Sequence, residues 1–221
     1  MKRIPEPELM NGTAQAAAYA TADFSEPNQL FCELFAACFP RFSTGALLDL
    51  GCGPADICRR LALRYPELVV HGVDGAARML EHGRAELEAA GLAGRVTLFE
   101  AMLPHPALPR SRYDAVVSNS LLHHLADPQV LWKTALNTGQ PRAAVLVMDL
   151  CRPQNRAEAR GIVTRYAGGE PAILQEDFYA SLLAAYRPEE IASQLAEAGL
   201  MHFTIITPSD RHLAVYGSLP D

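Results

Sequence analysis

The stretch Leu47-Leu-Asp-Leu-Gly-Cys-Gly-Pro54 decides the fold of this chain. An apolar run over residues 46–50 predicts a buried strand, and Pro54 opens a helical stretch to about residue 65, because proline suits a first helical turn. Glycines where a strand meets a helix let the backbone approach a ligand, and the helix N-terminus offers unpaired N–H groups. On its own, however, Gly51-Cys-Gly53 is also typical of a tight turn without a ligand.

Strands and helices alternate on the C-terminal side of this stretch. Apolar runs predict strands at residues 68–73, 96–99, 114–118 and 143–149, and helices are predicted at about residues 76–90 and 127–137. This alternation predicts an α/β fold with a parallel sheet covered on both faces. Residues 202–207 and 212–217 read as two closing strands, and the short connection between them predicts an antiparallel hairpin.

Two regions depart from this alternation. Residues 1–40 read as a helical preamble, and residues 152–187 read as two helices around the turn Gly168-Gly-Glu-Pro171. No linker, internal repeat or low-complexity tract divides the chain. We therefore expect a single domain over residues 1–221, with residues 1–40 as a helical N-terminal cover and residues 152–187 as a helical insertion.

The composition argues against several classes of function. The 221 residues include 19 basic and 25 acidic ones, and the net charge of −6 argues against a nucleic-acid partner. The five cysteines form no C-x-x-C pair and the dispersed histidines show no metal spacing, so we expect neither disulfides nor a metal. No apolar leader is visible and the apolar runs are too short to span a bilayer. We expect a cytoplasmic location and no membrane partner, and the oligomeric state stays open.

Two carboxylates favour the interpretation with a ligand. Asp49 lies inside an otherwise apolar strand, where an unpaired carboxylate would be costly. Asp74 ends the second strand, 23 residues after Gly51, at a spacing where an acid accepts hydrogen bonds from ribose hydroxyls. Because the two acids fall at adjacent strand ends, a nucleoside ligand is favoured.

Several motifs in order resemble those of the class I S-adenosylmethionine-dependent methyltransferases. The opening stretch looks like their first motif, and His71-Gly-Val-Asp-Gly75 looks like their acidic second element. Tyr113-Asp-Ala-Val-Val-Ser-Asn-Ser-Leu-Leu-His-His-Leu-Ala-Asp-Pro128 is similar to their fourth-strand motif, and Ala144-Val-Leu-Val-Met-Asp149 to their fifth strand. The resemblance covers residues 42–150 and, more loosely, the rest. It implies a Rossmann-like, doubly wound sheet of seven mostly parallel strands whose last strand is antiparallel.

The resemblance also implies a cofactor, S-adenosylmethionine, with S-adenosylhomocysteine as its product. The turn formed by Gly51, Cys52 and Gly53 would pass along the methionine part, and Asp49 would hold the amino group. Asp74 would accept hydrogen bonds from both ribose hydroxyls. The other residues expected at the cofactor are Gly75, Ala76, Ala101 and Met102 around the adenine, and Ser118 and Asn119 near the sulfonium.

Two positions depart from the family pattern. Many relatives carry an acid at the adenine edge, where this chain has Ala101-Met102. Ala55 stands where the first motif often has glycine, a small change that we expect to be tolerated.

The sequence indicates the residues that would contact the methyl acceptor less clearly than those at the cofactor. His123 would either face the substrate and take its proton, since imidazole titrates near neutrality, or be structural. For His124 we expect a structural role with a buried partner. Tyr19 in the N-terminal cover and Tyr179 in the insertion, which the resemblance makes a substrate lid, are the candidates for contact with a substrate.

These observations predict an enzyme that transfers a methyl group from S-adenosylmethionine to a small-molecule nucleophile. A nicotinamide-dependent oxidoreductase is disfavoured, because Asp49 lies in the first strand and Asp56 replaces the third glycine of G-x-G-x-x-G. A cofactor-binding protein without catalysis stays open. A methyltransferase acting on RNA or protein is weakened by the negative charge.

Overall fold

The computed structural model describes residues 1–6, 23–104, 108 and 112–221. The strands are β1 (Thr44–Leu50), β2 (Glu67–Asp74), β3 (Val96–Glu100), β4 (Tyr113–Asn119), β5 (Gly139–Leu150), β6 (Thr204–Ile206) and β7 (His212–Ser218). The α-helices within these residues are α1 (Ser25–Cys38), α2 (Asp56–Arg64), α3 (Ala77–Ala89), α4 (Gln129–Thr138), α5 (Arg156–Ala167), α6 (Ala172–Ala184) and α7 (Pro188–Glu197). A short 3-10 helix, Leu122–His124, follows β4.

The seven strands form one sheet in the order β3-β2-β1-β4-β5-β7-β6. Strands β1 to β5 are parallel, and β7 runs antiparallel to its neighbours β5 and β6. This confirms the doubly wound, Rossmann-like sheet and its closing hairpin. Because β1 has β2 on one side and β4 on the other, the connections diverge at the carboxyl end of β1, where such sheets bind ligands.

Two apolar layers cover the two faces of the sheet. One contains Phe35 of α1, Leu61 of α2 and Leu80 of α3. The other contains Trp132 of α4 and Leu195 of α7. The middle strands are therefore buried on both sides, which explains why β1 and β5 read as continuous apolar runs rather than alternating ones.

Helices α5 and α6 form the two-helix insertion expected over residues 152–187. They pack on each other through a separate apolar cluster that includes Ile162, Leu182 and Leu183. The side chain of Asn155 accepts the backbone N–H of Glu158 over 3.0 Å, which caps the start of α5. The role of this insertion as a substrate lid stays a prediction.

The N-terminal cover is not helical throughout. Helix α1 lies within it, whereas residues 1–6 form no helix. Pro5 disfavours a helical conformation of Ile4, and the backbone N–H of Ile4 donates to the oxygen of Leu183 over 3.0 Å instead. The alanine-rich residues 14–22 lie outside the described residues.

No helix in the described part of the chain is long and apolar enough to cross a membrane. The cytoplasmic location expected from the sequence stays a prediction.

Candidate active site

A cavity of about 650 Å³ opens at the carboxyl ends of β1, β2 and β4. Its size falls in the range of small-molecule and cofactor sites. The turn after β1 and the ends of β2 and β4 form one side, and the start of α1 closes over it. Residues of α5 and α6, together with Arg211 and His212 where β7 begins, form another part of the lining. We refer to these as the sheet side and the helix side of the cavity.

The turn after β1 needs glycine at two positions for different reasons. Gly51 has a φ of +72°, and a Cβ atom there would lie 2.8 Å from Leu121 Cδ1. Gly53 has a φ of +51°, and a Cβ atom there would meet no atom of the described residues within 4 Å. Gly53, Cys52 and Gly51 all line the cavity, so the open space beside Gly53 is the space in which a ligand can approach the backbone.

Asp74 ties the end of β2 to this turn. Its Oδ2 accepts the N–H of Gly53 over 2.8 Å, and its Oδ1 accepts the N–H of Ala76 over 2.7 Å. Burial raises the pKa of Asp74, although the two backbone bonds oppose this effect. Each carboxylate oxygen keeps a lone pair after accepting one bond, so the group can also accept two hydroxyl donors.

Asp49 lies deeper in β1 and is 1% exposed. The Cys58 thiol donates to its Oδ2 over 3.1 Å, whereas its Oδ1 is buried without a hydrogen-bond partner among the described residues. Burial raises the pKa of Asp49 to about 7. Since buried polar atoms are rarely left unpaired, Oδ1 is suited to a cationic donor entering the cavity that Asp49 lines.

The two residues expected near the end of β4 lie in different surroundings. Ser118 does not line the cavity: its hydroxyl donates to the backbone oxygen of Leu50 over 2.8 Å, within the sheet. Because side chains alternate along a strand, Ser118 and Asn119 point in opposite directions, and Ser118 does not reach the cavity where it was expected. Asn119 does line the cavity and donates to Asn28 Oδ1 over 3.2 Å, while its own Oδ1 is buried with no hydrogen-bond partner in the described part of the chain.

The residues expected around the adenine lie together beyond β2 and β3. Gly75, Ala76, Ala101 and Met102 all line the cavity. The backbone N–H of Ala101 donates to the oxygen of Asp74 over 3.0 Å, which joins the two strand ends. Met102 is 45% exposed and lies at the mouth.

His123 lies in the 3-10 helix after β4, lines the cavity and is 3% exposed. Its Nδ1 hydrogen-bonds to Asp149 at the end of β5, and its Nε2 lies 3.3 Å from Glu6 Oε1. Burial favours a lower pKa for His123, but the charges of Asp149 and Glu6 outweigh burial and raise it. Burial likewise opposes ionisation of Asp149, but the His123 charge lowers the pKa of this carboxyl. The ring is held between two carboxylates.

The structural role expected for His124 stays a prediction. His124 is partly exposed, with its Nδ1 3.3 Å from Glu6 Oε1, while Asp127 caps the N–H of Gln129 over 2.9 Å. Of the two histidines it is His123 that faces inward, because the tight 3-10 helix turns successive side chains in different directions.

Glu6, His123 and His124 offer three ligand atoms within 4.8 Å of one another, a spacing that a metal ion could bridge. Arg3 donates to the backbone oxygen of His123 over 2.8 Å and places a positive charge beside this group. The raised pKa of His123 favours its charged form, and Arg3 adds a second positive charge beside the two carboxylates, so these contacts do not require a metal ion. The expectation that no metal binds stays a prediction.

Neither tyrosine expected to contact a substrate is found at the cavity among the described residues. Tyr19 lies outside the described residues. Tyr179 does not line the cavity, and its ring lies under the Arg160 guanidinium, 4.7 Å from Cζ to ring centroid. The face of α6 that lines the cavity carries residues spaced three or four apart: Leu174, Asp177, Phe178 and Ser181.

Sequence reasoning missed three side chains of this site. Asp149 carries the same signal as Asp49, a lone carboxylate in an apolar strand. Glu6 and Arg211 carry no local signal, because the path of the chain alone brings them to the cavity.

Comparison with known proteins gives concordant findings. A model of the methyltransferase domain family matches residues 47–141. Trans-aconitate 2-methyltransferase of Afipia carboxidovorans is 27% identical over 149 residues, which are 67% of this chain and 54% of that protein. The chain thus spans about half the length of the curated relatives that it matches.

Two solved structures show the same fold. A methyltransferase from Aquifex aeolicus that depends on S-adenosylmethionine superposes with a TM-score of 0.67 at 15% identity, over 92% of this chain and 97% of that one. The plantazolicin methyltransferase, solved with S-adenosylhomocysteine and a desmethyl substrate analogue, gives a TM-score of 0.74 at 12% identity, over 95% and 92%.

Proposed function

Because the chain belongs to the class I S-adenosylmethionine-dependent methyltransferases, we propose that it transfers a methyl group from S-adenosylmethionine to a small-molecule nucleophile. The observation that carries this proposal is the Gly53–Asp74 arrangement, in which an open backbone turn and a carboxylate face one cavity. A cavity of about 650 Å³ has room for a nucleoside cofactor and a small acceptor, which favours a small molecule over RNA or protein.

The residues of the sheet side fit this cofactor. The ammonium group pairs with the open Oδ1 of Asp49, and the methionine part follows the turn at Gly51 and Gly53. The two ribose hydroxyls donate to Asp74. The adenine would lie among Gly75, Ala76, Ala101 and Met102, while Cys52 belongs to the turn along the methionine part.

The chain's own contribution to the reaction is mainly placement. The sulfonium of S-adenosylmethionine supplies an already activated methyl group, so holding the nucleophile in line with it provides most of the rate. His123 takes the proton that the nucleophile loses, and Asp149 fixes the ring through Nδ1, which leaves Nε2 to act. Glu6 must release Nε2 for this step.

Calorimetry tests the cofactor, and labelled methyl transfer tests the activity. We expect one equivalent of S-adenosylhomocysteine to bind and NAD to give no heat. Heat with NAD and none with S-adenosylhomocysteine would overturn the proposal. Incubation with methyl-labelled S-adenosylmethionine and fractionated small-molecule extracts should then label a low-molecular-weight product. Binding without labelling in any fraction would favour the non-catalytic alternative.

A further inference from the structure

Arg211, directly before β7, lines the helix side of the cavity and is 6% exposed. Its guanidinium lies over the ring of Tyr166 from α5, 3.5 Å from Cζ to ring centroid. A buried guanidinium is costly unless anionic or dipolar groups use its donors. Arg211 therefore needs partners, and it lines the cavity with its guanidinium packed on an aromatic ring.

The cavity-lining arginines differ in how well they are paired. Arg59 and Arg60 bind Asp56 over 2.7 and 2.6 Å, as expected for charge-assisted hydrogen bonds. Arg211 has a carboxylate contact of 3.4 Å to Glu26 Oε2 and one of 3.6 Å to Asp210 Oδ1. Both distances exceed that range, so Arg211 is only loosely neutralised.

The two carboxylates near Arg211 are poorly placed to hold it. Glu26 is 78% exposed and reaches Arg211 from the solvent side. Asp210 is bound more closely by others, at 2.7 Å to Arg165 Nη1 and 2.9 Å to the Tyr166 hydroxyl. A carboxylate inside the cavity would therefore displace little when it binds Arg211.

Among the described residues that line the helix side, Arg211 carries the positive charge. Its neighbour His212 also lines the cavity, and burial, followed by the Arg211 charge, lowers the pKa of His212 to about 4. His212 is therefore neutral near pH 7. Glu170 and Asp177, the acids that line the same side, oppose a dianion more than a monoanion.

We propose that the methyl acceptor carries a carboxylate and that Arg211 binds this group while Tyr166 holds the guanidinium plane. This rests on the proposed function, because it assigns the helix side to the acceptor. Planar guanidinium and carboxylate groups match in a two-bond arrangement, which makes arginine the preferred residue for this recognition. The contact with Glu26 occupies part of the donor set from outside, so a bound carboxylate replaces it.

Benzoate is a suitable probe, with benzamide as its neutral analogue and phenyl phosphate as the phosphate-bearing one. Each is titrated by ligand-observed NMR into protein saturated with S-adenosylhomocysteine. We expect benzoate to bind, benzamide to bind at least about tenfold more weakly, and Arg211→Met to weaken benzoate by a similar factor. Glu26→Gln should strengthen benzoate binding, since it removes the competing carboxylate.

Arg142→Met is the control, because it removes the same charge at an arginine whose side chain is 80% exposed and does not line the cavity. It should leave benzoate affinity within about twofold of wild type. Absent benzoate binding, equal binding by Arg211→Met, or tighter binding of phenyl phosphate would each overturn the proposal. Titration of S-adenosylhomocysteine into the same variants separates the two claims. If S-adenosylhomocysteine binds to none of these proteins, the proposed function is wrong. Benzoate titrated in the absence of S-adenosylhomocysteine would still test the role of Arg211.

Discussion

The backbone N–H of Gly53 donates to Asp74 Oδ2 over 2.8 Å, which joins the turn after β1 to the end of β2. The residue that would bind the ribose therefore also holds the turn that would carry the methionine part. Cofactor affinity and local stability are coupled through one side chain.

Asp74→Ala tests this coupling. We expect affinity for S-adenosylhomocysteine to fall at least about tenfold, since charge-assisted hydrogen bonds are lost. The free energy of unfolding should fall by about 1–3 kcal/mol, because the N–H groups of Gly53 and Ala76 lose their acceptor. Calorimetry and urea unfolding measure the two effects.

Asp114→Ala is the control for this variant. Asp114 Oδ2 accepts the N–H of Ala46 over 2.7 Å, at the other end of the sheet. We expect a comparable loss of stability with unchanged affinity. Unchanged affinity in a folded Asp74→Ala protein would move the nucleoside site elsewhere.

A methyl group added at Gly53 should separate folding from binding. Gly53→Ala places a Cβ atom in open space within the cavity, at a φ of +51°. We expect a stability cost of about 1–2 kcal/mol from the left-handed backbone and a loss of S-adenosylhomocysteine binding. Ala55 already holds a φ of +64°, so this turn tolerates such a residue.

Gly91→Ala is the control for this variant, because it has the same backbone cost but does not place a methyl group in the cavity. Gly91 has a φ of +69°, its added Cβ would lie more than 4 Å from every atom that the structure describes, and it follows α3 away from the site. It should lose similar stability and bind normally. If the two variants bind S-adenosylhomocysteine equally well, the cofactor does not pass Gly53.

The histidine–aspartate pair predicts a pH dependence of stability. Because the pKa of His123 is raised in the folded protein, its charge stabilises the fold fully below the unfolded pKa near 6.5. This stabilisation is lost as the pH rises through the folded pKa. Because the pKa of Asp149 is lowered in the folded protein, its charge stabilises the fold fully above the unfolded pKa near 3.8. This stabilisation is lost as the pH falls through the folded pKa. The pair should therefore stabilise most at mildly acidic pH.

His123→Gln measures this effect by urea unfolding. The variant should be destabilised by about 3–5 kcal/mol near pH 5.5, because Asp149 loses its partner, and by less near pH 9. Asp149→Asn, which removes the other charge, should show the same trend with pH. A difference independent of pH in both variants would show that the ring is not charged in the native state.

The same ring predicts how turnover depends on pH. A base must be neutral to act, so turnover should rise as the pH passes through the raised pKa of His123. His123→Gln should remove this rise and lower turnover about 10²–10⁴-fold while cofactor affinity stays near wild type. A loss of only a few-fold would assign His123 to positioning.

The sheet was predictable from the sequence, as was the grouping of Asp49, Asp74 and the turn at Gly53 around one cavity, whereas the helix side was not. Asp49 and Asp74 are marked by their position at the ends of apolar strands, which no local packing requirement explains. Ser118 was misplaced because alternation along β4 decides which of two neighbours reaches the cavity, and residue types do not reveal that phase.

Helix α6 could not be oriented from its sequence for a related reason. It carries apolar side chains on every face, so periodicity does not say that Phe178 rather than Tyr179 faces the cavity. Arg211 and Glu6 are brought to the site by contacts between segments far apart in sequence. Such contacts leave no local pattern.

Asp49 gives the last prediction, because burial raises its pKa to about 7. Its ordinary pKa is near 3.8, so between these values the folded protein holds a proton that the unfolded chain has released. Stability should therefore fall as the pH rises through this window. Asp49→Asn removes that cost, so its stability relative to wild type should be greater near pH 8 than near pH 4.5.

A cation bound at Oδ1 of Asp49 favours the ionised carboxylate, so cofactor binding should release a proton. We expect affinity for S-adenosylhomocysteine to tighten between about pH 5.5 and 8 in wild type but not in Asp49→Asn. Calorimetry near pH 6.5 in two buffers of different ionisation enthalpy measures the released proton directly. Equal proton release by both proteins would place the ammonium group away from Asp49, while a pH-independent affinity in wild type would mean that Asp49 stays protonated in the complex.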